Sequence, residues 1–202
     1  MVFHLAAIIP PLAEEKPDLA YQVNTIGTQN IVKSLEEFSP TAFLIYASSV
    51  SVYGDRINDY QMKVGDPLIP SDYEVYPGTK IKAEAIVQKS TLNWSIFRLS
   101  SIIGFGNHKI SGLMFHMPLA TLMEFTTPAD TGRAFANAIE KKEVLNKRIF
   151  NLGGGEKCWL SYQDFIIKSF EIFGLGAPIF PEKSFAEKNF HCGFYIDGHE
   201  LN

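Results

Sequence analysis

Residues 2–7 form a short apolar run, and Phe43-Leu44-Ile45 repeat it within residues 42–46. Runs of that length, without regular polar and apolar alternation, suit strands buried on both faces of a parallel sheet. A third stretch, residues 94–100, reads as the next strand. Such strands need helices over both faces, and the intervening chain has helical patterns. Leu19, Val23, Ile26, Ile31, Val32 and Leu35 recur at helical spacing within residues 18–38, and Ile81, Ala85 and Ile86 do so within residues 79–88. The expected class is α/β: part of a doubly wound parallel sheet with a small C-terminal lobe.

The residues that can do chemistry stand around the second run. Tyr46-Ala47-Ser48-Ser49 closes it, and open α/β sheets bind ligands at the carboxyl ends of their strands. A helix is expected from Tyr76-Pro77-Gly78-Thr79-Lys80. Pro77 is tolerated in its first turn, where the amide would be unpaired anyway. Residues four apart share a helix face, with about 5–6 Å between Cβ atoms, so Tyr76 and Lys80 can act as a unit. A free phenol titrates near about 10, too high for a good base at neutral pH, and a nearby cation lowers it. Ser49 can then hold a substrate oxygen while Tyr76 takes or returns its proton. Serines after a strand also serve as turn or cap residues, and Ser51 is a weaker candidate should the register slip. Tyr73 has no lysine four residues on. Side chains do not carry hydride, so this chemistry needs a nicotinamide cofactor, NAD or NADP.

Four blocks in order carry a family resemblance: Val2-Phe3-His4-Leu5-Ala6-Ala7, then Asn24-Thr25-Ile26-Gly27-Thr28-Gln29-Asn30, then Tyr46 to Gly54, then Tyr76 to Lys80 with Glu84. Together they resemble the extended short-chain dehydrogenases/reductases, and within them the NAD-dependent epimerase/dehydratase group. The resemblance covers most of the chain and weakens after about Gly155. It implies a Rossmann-like sheet and an oxidoreductase that works on a nucleotide sugar. It also implies roles. Ser49, Tyr76 and Lys80 would be catalytic, with Ser49 on the substrate and Tyr76 and Lys80 also on the cofactor. Ser48 would shape the pocket beside the cofactor, Ala6 and Ala7 would lie against it, and Asn24 would order the catalytic strand ends and a proton-relay water. Without that context, Asn24 would be a solvated surface group and the alanines mere close-contact residues. Asn107, with His108 and Lys109, falls where the family touches substrate. Arg98 reads as a structural group that bonds loop carbonyls.

Family members begin with a strand, a glycine-rich turn and a helix that hold the dinucleotide pyrophosphate. This sequence opens on the family's fourth strand, so the expected sheet lacks its first strands and exposes an apolar edge at Val2 to Leu5. Such an edge favours a homodimer or pairing with another chain.

Composition excludes several classes. A net charge of −4 gives no basic footprint for nucleic acid or an anionic membrane. Cys158 and Cys192 are too few for a disulfide framework and read as reduced cytosolic thiols, which places the chain in the cytoplasm. No CxxC or HExxH occurs, His191 beside Cys192 is insufficient, and no metal site is expected. No apolar run reaches membrane-spanning length. Residues 1–155 read as a partial dinucleotide-binding domain and 156–202 as a substrate lobe or cover. Residues 55–71, with Gly65, Pro67 and Pro70, read as a loop across the mouth of the site. Asp130 is expected to cap one late helix and Ser161, with Asp164, another. Gly153-Gly154-Gly155 has no following lysine and hydroxyl residue, which rejects a Walker loop. Three functions stay open: a nucleotide-sugar epimerase or dehydratase, a reductase or dehydrogenase on a non-sugar carbonyl or alcohol, and a non-catalytic remnant that pairs with another chain.

Overall fold

The structure is a computed structural model that describes residues 1–72, 74–104, 112–187 and 192–201. The first half contains β1 (Val2–His4), the short helices α1 (Leu12–Glu15) and α2 (Pro17–Tyr21), a π-helical turn (Gln22–Ile26), α3 (Gly27–Phe38) and β2 (Phe43–Ser49). It continues through β3 (Gln61–Met62), α4 (Val75–Lys89), β4 (Asn93–Leu99) and β5 (Ser101–Ile102). After these come β6 (Leu122–Thr126), α5 (Pro128–Asn137), α6 (Lys142–Leu145), β7 (Arg148–Leu152), β8 (Trp159–Ser161), α7 (Tyr162–Ile172) and β9 (Phe194–Tyr195).

The main sheet is parallel, in the order β1-β2-β4-β7. Side chains alternate between its faces. Phe43, Ile45 and Ala47 of β2 join Phe97, Phe135 and Phe150 on one side, under α5. Leu44 and Tyr46 join Val32, Ala83, Val87 and Ile96 on the other, under α3 and α4. Both faces are dry, which is why the runs show no polar alternation. This is a partial Rossmann-like sheet. β1 lies at its edge, with Val2 and Phe3 half-buried, His4 buried and Leu5 57% exposed. The apolar edge is thus narrower than expected, because Phe3 packs edge-on against Phe135 at 5.8 Å.

Two smaller sheets, β5-β6-β8 and β3-β9, build the lobe. They combine chain from both sides of residue 155. Met123, Tyr162, Ile166, Phe170 and Phe185 form its core. Ser161 caps α7, accepting from the Asp164 amide at 3.0 Å. Thr127 rather than Asp130 caps α5: its hydroxyl accepts from the Asp130 amide at 3.0 Å, and Pro128 takes the first helical position. Gly153 and Gly154 are close-approach residues. A Cβ on Gly153 would lie 2.1 Å from the Glu124 carboxylate, and one on Gly154 would lie 2.1 Å from the Phe125 carbonyl oxygen.

Gly54 fixes the path of the loop after β2. Its φ is +73°, and a Cβ there would sit 1.7 Å from the Ile69 carbonyl oxygen. Gly54→Ala therefore combines a left-handed backbone with a backbone clash that no rotamer relieves, and should destabilise the chain by about 1–3 kcal/mol or more. Urea unfolding checks this; an unchanged midpoint would mean that the loop over residues 55–71 does not rest on Gly54.

Candidate active site

The register places Ser48 and Ser49 inside β2, opposite Arg98 and Leu99 of β4. The apolar run stops at Ala47, but backbone pairing continues for two residues. Ser49 is extended, its hydroxyl accepts from the Ser51 amide at 3.2 Å, and it acts on the Tyr76 phenol, whose pKa it lowers against burial. Ser51 itself is buried, and its hydroxyl has no hydrogen-bond partner among the described residues.

Helix α4 carries Tyr76 in its first turn and Lys80 one turn later, both buried. Its N-terminus is held from a distance: the Val75 and Tyr76 amides donate to the Glu14 carboxylate at 2.7 and 3.2 Å. An anion on free helix amides is favourable on both hydrogen-bonding and dipole grounds. Nothing in the sequence signals this partner, which lies 61 residues from Val75. The Lys80 ammonium donates to the Ala47 carbonyl at 2.8 Å and lies 4.9 Å from the Tyr46 ring centroid and 5.8 Å from that of Tyr76.

Burial governs both groups. It pushes the Tyr76 phenol up to about 12, against the effect of Ser49. It brings the Lys80 ammonium down to about 8, against the charge of Glu84. The expectation that Lys80 lowers the Tyr76 pKa is corrected here: burial dominates the phenol, and the ammonium is turned to the Ala47 carbonyl. Tyr76 thus stands as a protonated phenol at neutral pH.

Asn24 sits in the π-helical turn, a distortion often found near functional sites. Its amide donates to the Ile8 carbonyl and to the Thr79 hydroxyl, both at 2.9 Å, while its carbonyl accepts from the Ile8 amide at 2.7 Å. Asn24 thereby ties the chain after β1 to the turn of α4 between Tyr76 and Lys80. Ala6 is exposed and Ala7 half-buried, just past the end of β1. They leave open surface on the same sheet edge as Ser49.

The Ser48 hydroxyl is buried and donates to Glu84 at 2.5 Å. Arg98 departs from expectation. Among the described residues it bonds no loop carbonyl; Nε and Nη2 reach Glu84 at 3.0 and 2.7 Å, and Nη1 donates to the Tyr53 hydroxyl at 2.9 Å. Tyr53 donates to Asn151 at 2.8 Å, and Asn151 donates to Asp197 at 2.8 Å. This chain of bonds runs from the serine strand to the C-terminal segment. Asn107, His108, Lys109, Tyr73 and His191 lie outside the described residues.

A cavity of about 1110 Å³ is lined by residues that include Gly104, Thr127, Asp130, Gly153 and Cys158, and Ser49, Tyr76 and Lys80 are not among them. A second of about 510 Å³ lies under the loop, between Tyr53, Arg56 and Pro70. Among the described residues no group of three or more His, Cys, Asp or Glu could hold a metal ion, and no helix is long and apolar enough to cross a membrane.

Comparison with known proteins agrees with this arrangement. The 3-beta hydroxysteroid dehydrogenase/isomerase family model matches residues 1–98. Over 91% of its length the chain is 23% identical to the D-erythronate dehydrogenase of Haemophilus influenzae, of which it covers 52%. A UDP-glucose 4-epimerase from Thermus thermophilus, solved with NAD, superposes with a TM-score of 0.76 at 18% identity, over 99% of this chain and 70% of that one. A UDP-glucuronic acid 4-epimerase from Bacillus cereus, solved with UDP-glucuronic acid and NAD, gives 0.77 at 21% identity, over 98% and 66%. The chain spans about half the length of the D-erythronate dehydrogenases that it matches over most of its own. With the four sequence blocks, the parallel sheet and the placement of Ser49, Tyr76 and Lys80, these matches make the chain similar to the extended short-chain dehydrogenases/reductases, of the epimerase/dehydratase type.

Proposed function

We propose that this chain carries the proton-transfer half of an NAD(P)-dependent oxidoreductase of the epimerase/dehydratase type, acting on a nucleotide sugar. The observation that carries the reading is Ser49 at the carboxyl edge of a parallel sheet, with Tyr76 in the first turn of α4 and Lys80 one helical turn on, bonded to the Ala47 carbonyl. Ser49 would hold the reacting oxygen of the substrate, and Tyr76 would give or take its proton. Lys80, with Ala6, Ala7 and Tyr76, would hold the nicotinamide end of the cofactor; the exposed alanines fit it because they leave the surface beside the triad open. Bound nicotinamide would supply the hydride chemistry that no side chain can. Sugar nucleotides are supported by the two epimerase structures, both of which hold NAD.

A second reading, oxidation of a non-nucleotide hydroxy acid, is favoured by the D-erythronate dehydrogenase match, which spans most of the chain. The same triad serves either substrate, and product analysis separates them. A third, a non-catalytic chain that pairs through the edge at β1, rests on that strand having one sheet neighbour among the described residues.

Titration of the 202-residue chain with NADH, followed by fluorescence, tests the reading. Saturable binding is expected, and Lys80→Ala should weaken it about tenfold or more, the loss of a charge-assisted hydrogen bond. A folded chain that binds neither NADH nor NADPH would exclude catalysis by this polypeptide alone.

A further inference from the structure

We propose that Glu84 is a positioning residue of the candidate site: through Ser48 it seats the strand end that presents Ala47 and Ser49, and it is the anion that supports Lys80. The inference rests on the reading of Lys80 as the cation of the site. Glu84 is wholly buried and follows Lys80 by one turn on the same face of α4. One carboxylate oxygen accepts from Ser48 at 2.5 Å and from Arg98 Nε at 3.0 Å; the other accepts from Arg98 Nη2 at 2.7 Å. Ser48 stands between Ala47, whose carbonyl receives Lys80, and Ser49, which acts on the Tyr76 phenol. A single carboxylate therefore ties the helix of the tyrosine and lysine to the strand of the serine.

The surroundings of Lys80 leave Glu84 as its support. From β1, His4 faces it with a pKa lowered to about 4 by burial and by the Lys80 charge, so that the ring is neutral at neutral pH. Tyr46 of β2 and Tyr76 of α4 are both pushed upward by burial and are neutral as well. Arg98 of β4 is engaged on Glu84 itself. An unsupported buried lysine falls to about 5–6, whereas Lys80 stays near 8 with Glu84 opposing the desolvation.

The test is a pH titration of the whole chain carrying ¹³Cε-labelled lysine, with Lys80→Arg to assign the resonance. Glu84→Gln should lower the Lys80 midpoint by about one unit or more, a tenfold rise in its acid dissociation constant. That variant strands the Arg98 guanidinium at a cost to folding, so Glu84→Gln/Arg98→Met, which removes both charges, is measured beside it with the same expected direction. Either variant, folded and titrating as wild type, would overturn the proposal. So would a wild-type midpoint below about 6, which would mean that Glu84 gives no support. Cofactor is absent from this titration. A chain that binds no NADH yet moves its Lys80 midpoint would therefore sink the proposed function and leave the role of Glu84 standing.

Discussion

Arg98→Ala should destabilise the chain by about 3–5 kcal/mol, the cost of leaving a buried charge without its partner. The guanidinium is 3% exposed and makes three hydrogen bonds, two to the Glu84 carboxylate and one to the Tyr53 hydroxyl. Its pKa moves further upward, because contact with Glu84 and Tyr53 outweighs burial. Truncation abandons Glu84 in a dry interior and leaves Tyr53 with Asn151 alone among its described partners. Replacing both charges with Arg98→Met and Glu84→Gln should cost markedly less than the two single changes together, since an uncharged pair carries no stranded ion. Urea midpoints of the four proteins, at matched m-values, measure the coupling. Additive single costs would mean that the pair is not a unit, and would remove the argument that Arg98 joins the serine strand to the tyrosine helix.

The same network marks where the sequence stops being legible. The strands could be read because both their faces are covered, and this leaves a mark in every residue of the run. Ser161 could be read as a cap because its partner, Asp164, stands three residues away. At α5 the local signal was present and was assigned to the wrong residue. Pro128 favours the first helical position, so the residue before it, Thr127, is the cap. Arg98 was legible as a structural group, but its partners lie 14 and 45 residues away, and no local pattern encodes them. The partner of Ser48 was hidden for a related reason: the sequence sets it beside Ser49, but only the fold brings Glu84 to it. The small strands β3, β5 and β9 are two residues long, too short to carry a period. Gly153 and Gly154 are glycines because Glu124 and Phe125 pass close by, a contact between separate parts of the chain.

On the proposed chemistry, Tyr76→Phe should lower turnover by about 10²–10⁴-fold, the usual contribution of a positioned general acid or base. The variant keeps the ring and loses one hydroxyl, so the fold should lose no more than about 1 kcal/mol. The sign of the pH dependence follows from the raised phenol. With its proton held up to about 12, Tyr76 is the acid form throughout the neutral range. Reduction, which uses that acid, should be nearly independent of pH there. Oxidation needs the phenolate, whose population rises about tenfold per pH unit below the pKa, so its kcat/KM should climb with pH in the wild type and lose that slope in Tyr76→Phe. Ser49→Ala separates proton transfer from substrate positioning: Tyr76 keeps its proton chemistry, so the slope should persist at a reduced rate. If Tyr76→Phe retained more than about a tenth of the turnover together with the slope, the transferred proton would belong to another group. The buried hydroxyl of Ser51, without a partner among the described residues, would then be the first place to look for a group that positions the substrate oxygen in place of Ser49.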